Sequence, residues 1–148
     1  MENTELLKLV LNKQRIAYSW PYCFNTGCQL QAECLRYQAA LVLDSSVTSG
    51  TAVFPSVDLH GKCPLFKPIR SIRTAWGFER LFDNVRTPDA PTLRRMLKDL
   101  LNGNGNYYRY HHGTRRLSPD QQKSIRQLFA RMGYDNIEFG HYQDEIEL

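Results

Sequence analysis

The sequence predicts a mainly α-helical fold with a small β element, in which an N-terminal cysteine-rich segment packs on a helical C-terminal half. Three observations carry that expectation. Apolar residues recur at helical spacing through the second half, all four cysteines fall between Cys23 and Cys63, and charge is divided sharply along the chain. The 148 residues suffice for one domain of ordinary size or two very small units sharing a core. With 42% hydrophobic and 23% charged residues, the composition is that of a globular chain.

Taken in order, residues 3–13 read as a short amphipathic helix with Leu6, Leu7, Val10 and Leu11 on one side. Pro21 ends the next segment, and Cys23 to Gln29 forms a loop with turn chemistry from Asn25 and Gly27. Leu30 to Leu43 is predicted helical, with Leu35, Ala39, Leu41 and Val42 as core candidates. After a polar break at Ser45–Gly50, Thr51 to Phe54 suits a strand that Pro55 confines to an edge or a short piece. Pro64 to Ile69 is an extended connector. Arg70 to Phe82 repeats apolar residues at helical spacing (Ile72, Ala75, Trp76, Phe78, Leu81, Phe82) and is predicted to be a helix.

Pro91 suits a helix N1 position, and Thr92 to Leu101 makes an amphipathic helix through Leu93, Met96, Leu97 and Leu100. Asn102-Gly103-Asn104-Gly105 is a strong break, and Tyr107 to His112 is helix or strand by propensity alone. Ser118-Pro119-Asp120 opens a last helix as N-cap, N1 proline and first-turn acid. Its apolar face holds Ile125, Leu128, Phe129 and Met132, and Gly133 ends it. The tail from Asp135 alternates acids with Ile137, Phe139, Tyr142 and Ile146, as an edge strand or a strap over a basic face would.

The longest apolar runs fall well short of the roughly 18 residues that a membrane span needs. The first fifteen residues lack the apolar core and cleavage site of a signal peptide, so a cytoplasmic protein is expected. In a reducing compartment a tight cysteine group more often binds metal than forms disulfides. Cys23, Cys28, Cys34 and Cys63 make a C-x4-C-x5-C-x28-C pattern that uses every cysteine of the chain. Four soft ligands of this kind suit zinc or an iron–sulfur cluster, with zinc the commoner tenant. Cys63-Pro64 leans towards a cluster, and His60 could replace one thiolate. The plainer alternative is four buried thiols packing as small apolar residues.

Residues 1–66 hold five Lys/Arg against five Asp/Glu. Residues 67–134 hold fourteen against five, a net of +9, and residues 135–148 hold none against five. Three segments follow from this: a cysteine-rich one, a basic helical one and an acidic tail. The basic block is the electrostatic footprint of a phosphate-binding surface, or else a solvated charged face. Arg94, Arg95, Arg109, Arg115, Arg116, Lys123 and Arg126 are its candidate phosphate contacts. Asn106 and Arg109 are candidate base readers, and Tyr108 is a stacking surface for unpaired bases. Tyr110 is expected to be structural, and His111-His112 an exposed pair.

Residues 92–132 resemble the centre of a lambda-repressor-like helix-turn-helix domain. The resemblance runs through Thr92–Leu101, a glycine-asparagine turn, Asn106–Gly113, and the exit Thr114-Arg115-Arg116-Leu117-Ser118-Pro119. It implies a recognition helix in the duplex major groove. A β-hairpin with His112-Gly113 at its tip, as in a winged helix, is the other geometry open to these residues. The whole chain also resembles a group of uncharacterised bacterial proteins, through Cys23 to Tyr37 and the Asn-Tyr-Tyr-Arg-Tyr stretch at Asn106 to Tyr110. That second resemblance implies no activity.

The expectation is a regulatory DNA-binding protein stabilised by zinc or an iron–sulfur cluster. Its rivals are an RNA- or ribosome-associated protein, and a redox or adaptor protein whose basic patch docks an acidic partner. The sequence shows no P-loop, dinucleotide fingerprint or nucleophile motif, so no catalytic residue is assigned and an enzyme is not expected.

Overall fold

A computed structural model describes residues 3–57 and 61–148. In chain order its elements are α1 (Asn3–Leu11), β1 (Pro21–Cys23), α2 (Leu35–Leu41), β2 (Thr51–Val53), β3 (Ser71–Trp76), α3 (Ala90–Leu100), α4 (Asn104–His112), α5 (Pro119–Ala130) and β4 (His141–Ile146). The expectation of a mainly α fold is corrected. The described residues form a mixed α/β chain with two two-stranded sheets, β1–β2 and β3–β4.

The chief reason is the stretch from Arg70 to Phe82, which is not a helix. Ser71–Trp76 is extended, and turns follow from Glu79 to Asn84. Ile72, Thr74 and Trp76 are residues that fit a pleated surface, and Gly77 breaks the run with φ +85°. The Gly140 N–H donates to Gly77 O, and Glu147 N–H to Arg70 O, so β4 runs antiparallel to β3. Thr74, buried in this strand, donates from Oγ1 to Gln143 O across the pair. The acidic tail is therefore a strand of the fold.

The chain divides into two compact units, one formed by residues 1–71 with 145–148 and the other by residues 72–144. In the first, Leu7 and Leu11 of α1 meet Leu35, Ala39 and Val42, with Trp20, Tyr22 and Ile146 against them. β1 and β2 pair in parallel, Cys23 opposite Val53. Gln14 receives the Ile146 N–H and donates to Ile146 O, which anchors the last residues here. The helix expected from Leu30 starts only at Leu35, with Cys34 as N-cap in extended conformation. Cys34 bridges to Pro68, and Leu35 N–H donates to Lys67 O. That pairing draws residue 34 out of a helical path.

The second unit packs α3, α4 and α5 around Phe78, Leu93, Leu97, Leu117, Ile125 and Phe129, all essentially fully buried. Ser118 caps α5: it accepts from the Gln121 N–H, and the Gln121 side chain accepts from the Ser118 N–H, a full capping box. The break between α3 and α4 is shorter than the sequence suggests. Leu101, Asn102 (φ +62°) and Gly103 (φ +118°) make it, and Asn104 is already helical. Residues 107–112 belong to α4, which excludes the hairpin geometry at His112-Gly113. Gly113 closes α4 in the left-handed region with φ +81°.

Candidate functional site

The four cysteines come from four separate pieces of the first unit. Cys23 ends β1, Cys28 sits in the following turn, Cys34 caps α2, and Cys63 lies on the connector. All four are free thiols; Cys23 and Cys34 are buried, Cys28 and Cys63 half-buried. All four line one cavity, with Gln31, Arg36, Tyr37, Val53, Val57, Leu65 and Phe66 among the other walls. About 20 Å³ of it is open to the centre of a water molecule.

Local hydrogen bonds shape the turn that brings Cys28 in. The Cys28 N–H donates to Asn25 O (3.2 Å), and the Leu30 N–H donates to Cys28 Sγ (3.4 Å). Arg36 does the rest. Its Nε donates to Leu65 O (2.7 Å), and its Nη1 donates to Pro21 O (3.1 Å). The same guanidinium lies 4.9 Å from the Trp20 ring centroid. One side chain, two residues after Cys34, thus ties the carbonyl two residues after Cys63 to the carbonyl two residues before Cys23. Sequence reading missed Arg36 because nothing local marks the two carbonyls it reaches.

A wall of four thiols fits soft metal chemistry by its donor set. Sharing a cavity is a weaker condition than meeting at one point, however. Among the described residues no group of three or more His, Cys, Asp or Glu side chains is arranged to hold a metal ion. His60, the suggested substitute ligand, lies outside the described residues.

The basic candidates of the second unit separate into two sets. Arg116 and Arg126 are built into the packing around β3 and β4. Arg116 stacks over Trp76 (3.8 Å) and donates to Gln143 Oε1 (2.6 Å). Arg126 donates to Ile137 O and to Tyr142 Oη, and lies over Phe139. Arg94 and Arg95 on α3, Tyr108 and Arg109 on α4, Arg115 and Lys123 are exposed. Asn106 gathers two of them, its Oδ1 accepting from Arg109 Nη1 (3.0 Å) and Arg115 Nη1 (3.3 Å).

Tyr107 and Tyr110 turn into the core, which leaves Tyr108, Arg109 and His112 on the outer side of α4. Tyr110 is structural, as expected. Burial raises the Tyr107 hydroxyl pKa against the opposing pull of Arg94. The Lys98 ammonium lies 5.1 and 5.6 Å from the Tyr107 and Tyr108 ring centroids, and His112 stacks on Tyr108. Lys98 was not among the candidates, although its position ten residues before Tyr108, across a three-residue turn, is the signal that could have found it.

The histidine pair separates as well. His112 is exposed, but His111 Nδ1 accepts the Phe78 N–H (3.1 Å) and its ring packs on Phe78 and Tyr107. No helix among the described residues is long and apolar enough to cross a membrane.

Fold and site together define a mixed α/β chain that pairs a four-thiol cavity with a helical unit presenting cations and a tyrosine. A family profile matches residues 2–148, and the chain belongs to that family, a family of unknown function designated DUF6078. No curated protein and no solved structure matches it.

Proposed function

We propose that this is a nucleic-acid-binding protein which contacts duplex DNA through the outer side of α4, with a metal centre on Cys23, Cys28, Cys34 and Cys63 holding its first unit. What carries the reading is the outer side of α4. Tyr108, Arg109 and His112 share it, Lys98 lies against Tyr108, and Arg115 joins Arg109 through Asn106. Cations held on an ordered helix neutralise phosphates without first being organised, and release counterions as they do so. The resemblance to a lambda-repressor-like helix-turn-helix, with α4 in the recognition position after a three-residue turn, favours duplex over single strand. Arg94, Arg95 and Lys123 would add phosphate contacts, whereas Arg116 and Arg126 act through packing.

The test is fluorescence anisotropy with a labelled duplex and the matching single strand, from about 50 to 200 mM salt. Duplex affinity falling steeply with salt is expected, with Arg109→Ala lowering the slope by about one phosphate contact. The reading fails if affinity is absent or insensitive to salt, the behaviour expected of an adaptor for an acidic protein. Preference for the single strand, lost in Tyr108→Ala, would move the reading to RNA or unpaired bases.

A further inference from the structure

We infer that Arg109 and Arg115 clasp a single phosphate group, and that the pocket lined by Arg115 takes the nucleoside attached to it; the inference deepens the nucleic-acid reading and rests on it. The first observation is that two guanidiniums converge. Arg109 Nη1 (3.0 Å) and Arg115 Nη1 (3.3 Å) both donate to Asn106 Oδ1, so the two nitrogens are close enough for one tetrahedral anion to bond both. The Arg115 N–H also donates to Arg109 O (3.1 Å), which fixes the two backbones at the exit of α4. Among the described residues neither guanidinium has a carboxylate within ion-pair distance, so one neutral oxygen holds two like charges together. An anion relieves that repulsion, and a phosphate offers each planar fork its own oxygen. Both lone pairs of Asn106 Oδ1 are used, which leaves none for a base edge. Asn106 is therefore a positioning residue for the two arginines.

The second observation is the pocket itself. Asn106 and Arg115 line a space of about 270 Å³, shared by residues of α3, α4 and α5. That volume falls just under the range of drug-sized sites and suits a smaller ligand. Leu101 and Ile125, both buried, give it apolar surface. Tyr110 Oη accepts from Gln121 Nε2 (3.1 Å), which leaves its own O–H to donate. Asp120 lines the pocket without an ion-pair partner among the described residues, and its carboxylate accepts from an N–H of the ligand. A nucleoside monophosphate uses all of these: its phosphate meets the arginines, its base amino group Asp120, and its base face the apolar surface. A free nucleotide and the phosphorylated end of a strand share this chemistry.

The experiment is calorimetric titration of the full chain with cytidine monophosphate, cytidine and inorganic phosphate, beside anisotropy with one duplex carrying or lacking 5′-phosphates. Cytidine monophosphate should bind about tenfold more tightly than cytidine or phosphate alone. Arg115→Lys keeps the charge without the fork, and Asn106→Ala keeps both charges without their alignment; each should lose that preference while melting like the wild type. A similar gain from the duplex 5′-phosphate makes the strand end the source, and a gain for the mononucleotide alone makes it a free nucleotide. Equal affinity for cytidine and its monophosphate, or an undiminished preference in Asn106→Ala, overturns the inference. Salt-dependent duplex binding with no uptake of mononucleotide and no effect of the end phosphate overturns it too, and leaves the α4 reading intact. No binding of any of these probes overturns both.

Discussion

Two glycines of the second unit show how much depends on what surrounds a missing side chain. Gly113 has φ +81°, and an added Cβ would stand 2.7 Å from Trp76 Cδ1 and 2.8 Å from its Nε1. That ring is held between Arg116 and His141, so it cannot give way cheaply. Left-handed strain and the forced shift of the ring add, and Gly113→Ala should cost about 3 kcal/mol. At Gly140 the added Cβ would come even closer, 2.2 Å from Glu79 Oε1. Glu79, however, is a half-exposed side chain whose far end can swing into solvent. Gly140→Ala should therefore change stability by less than about 1 kcal/mol, and denaturant titration of the two variants tests the ordering. In the first unit, Arg36→Met keeps the aliphatic stem but frees the carbonyls of Pro21 and Leu65. A loss of about 2 kcal/mol is expected, read as a lower thermal midpoint together with weaker metal retention. A melt like that of the wild type, with full retention, would show that the clip is incidental.

At the scale of elements, local chemistry decides the helices and distant partners decide the strands. α5 is fixed by its own first turn, and Ser118→Ala removes the acceptor for the Gln121 N–H at a cost of about 1 kcal/mol. Replacement by Asp should recover most of that in the same denaturant titration, because a carboxylate accepts the same N–H and complements the helix dipole. This is why residues 119–130 were legible in the sequence, through proline, cap and apolar spacing, as were 90–100 through proline and apolar spacing alone. Arg70 to Phe82 was not. Its apolar spacing satisfies a helical period, but β3 exists because β4 pairs with it from about seventy residues away, and no period records that partner. The start of α2 was misread for the same reason, since Lys67 O takes the Leu35 N–H and holds Cys34 extended. Of the candidate site, the gathering of all four cysteines on one cavity was legible, because their spacing leaves none over. The separate fates of Arg116 and Arg126 were not, since the partners that occupy them, Gln143, Ile137 and Tyr142, lie on the tail.

The two units differ in how much core they have, and that difference sets what metal removal should do to the whole molecule. Among the described residues the buried cluster of the second unit has fourteen members, whereas that of the first has five. The charges differ too: residues 72–144 carry twelve Lys/Arg against eight Asp/Glu, a net of +4, whereas the other residues carry seven against seven. A small, apolar-poor unit does not bury enough surface to offset its chain entropy and needs a staple. Four ligands spread from residue 23 to residue 63 would supply one, cross-linking the chain on both sides of α2 and β2. Metal bound only by the folded form at one hundred times its Kd adds about 2.7 kcal/mol, roughly a hundredfold in the opening equilibrium. Hydrogen exchange on the full chain before and after anaerobic metal removal should therefore show a selective response. Amides of α2, among them Leu35, should exchange about a hundredfold faster, while those of α3 and α5, such as Leu97 and Phe129, keep their protection. Uniform loss across both sets would mean that the chain folds as one cooperative body. Unchanged exchange at Leu35 would mean that the five-residue core suffices without a staple, and the thiols would then be packing groups.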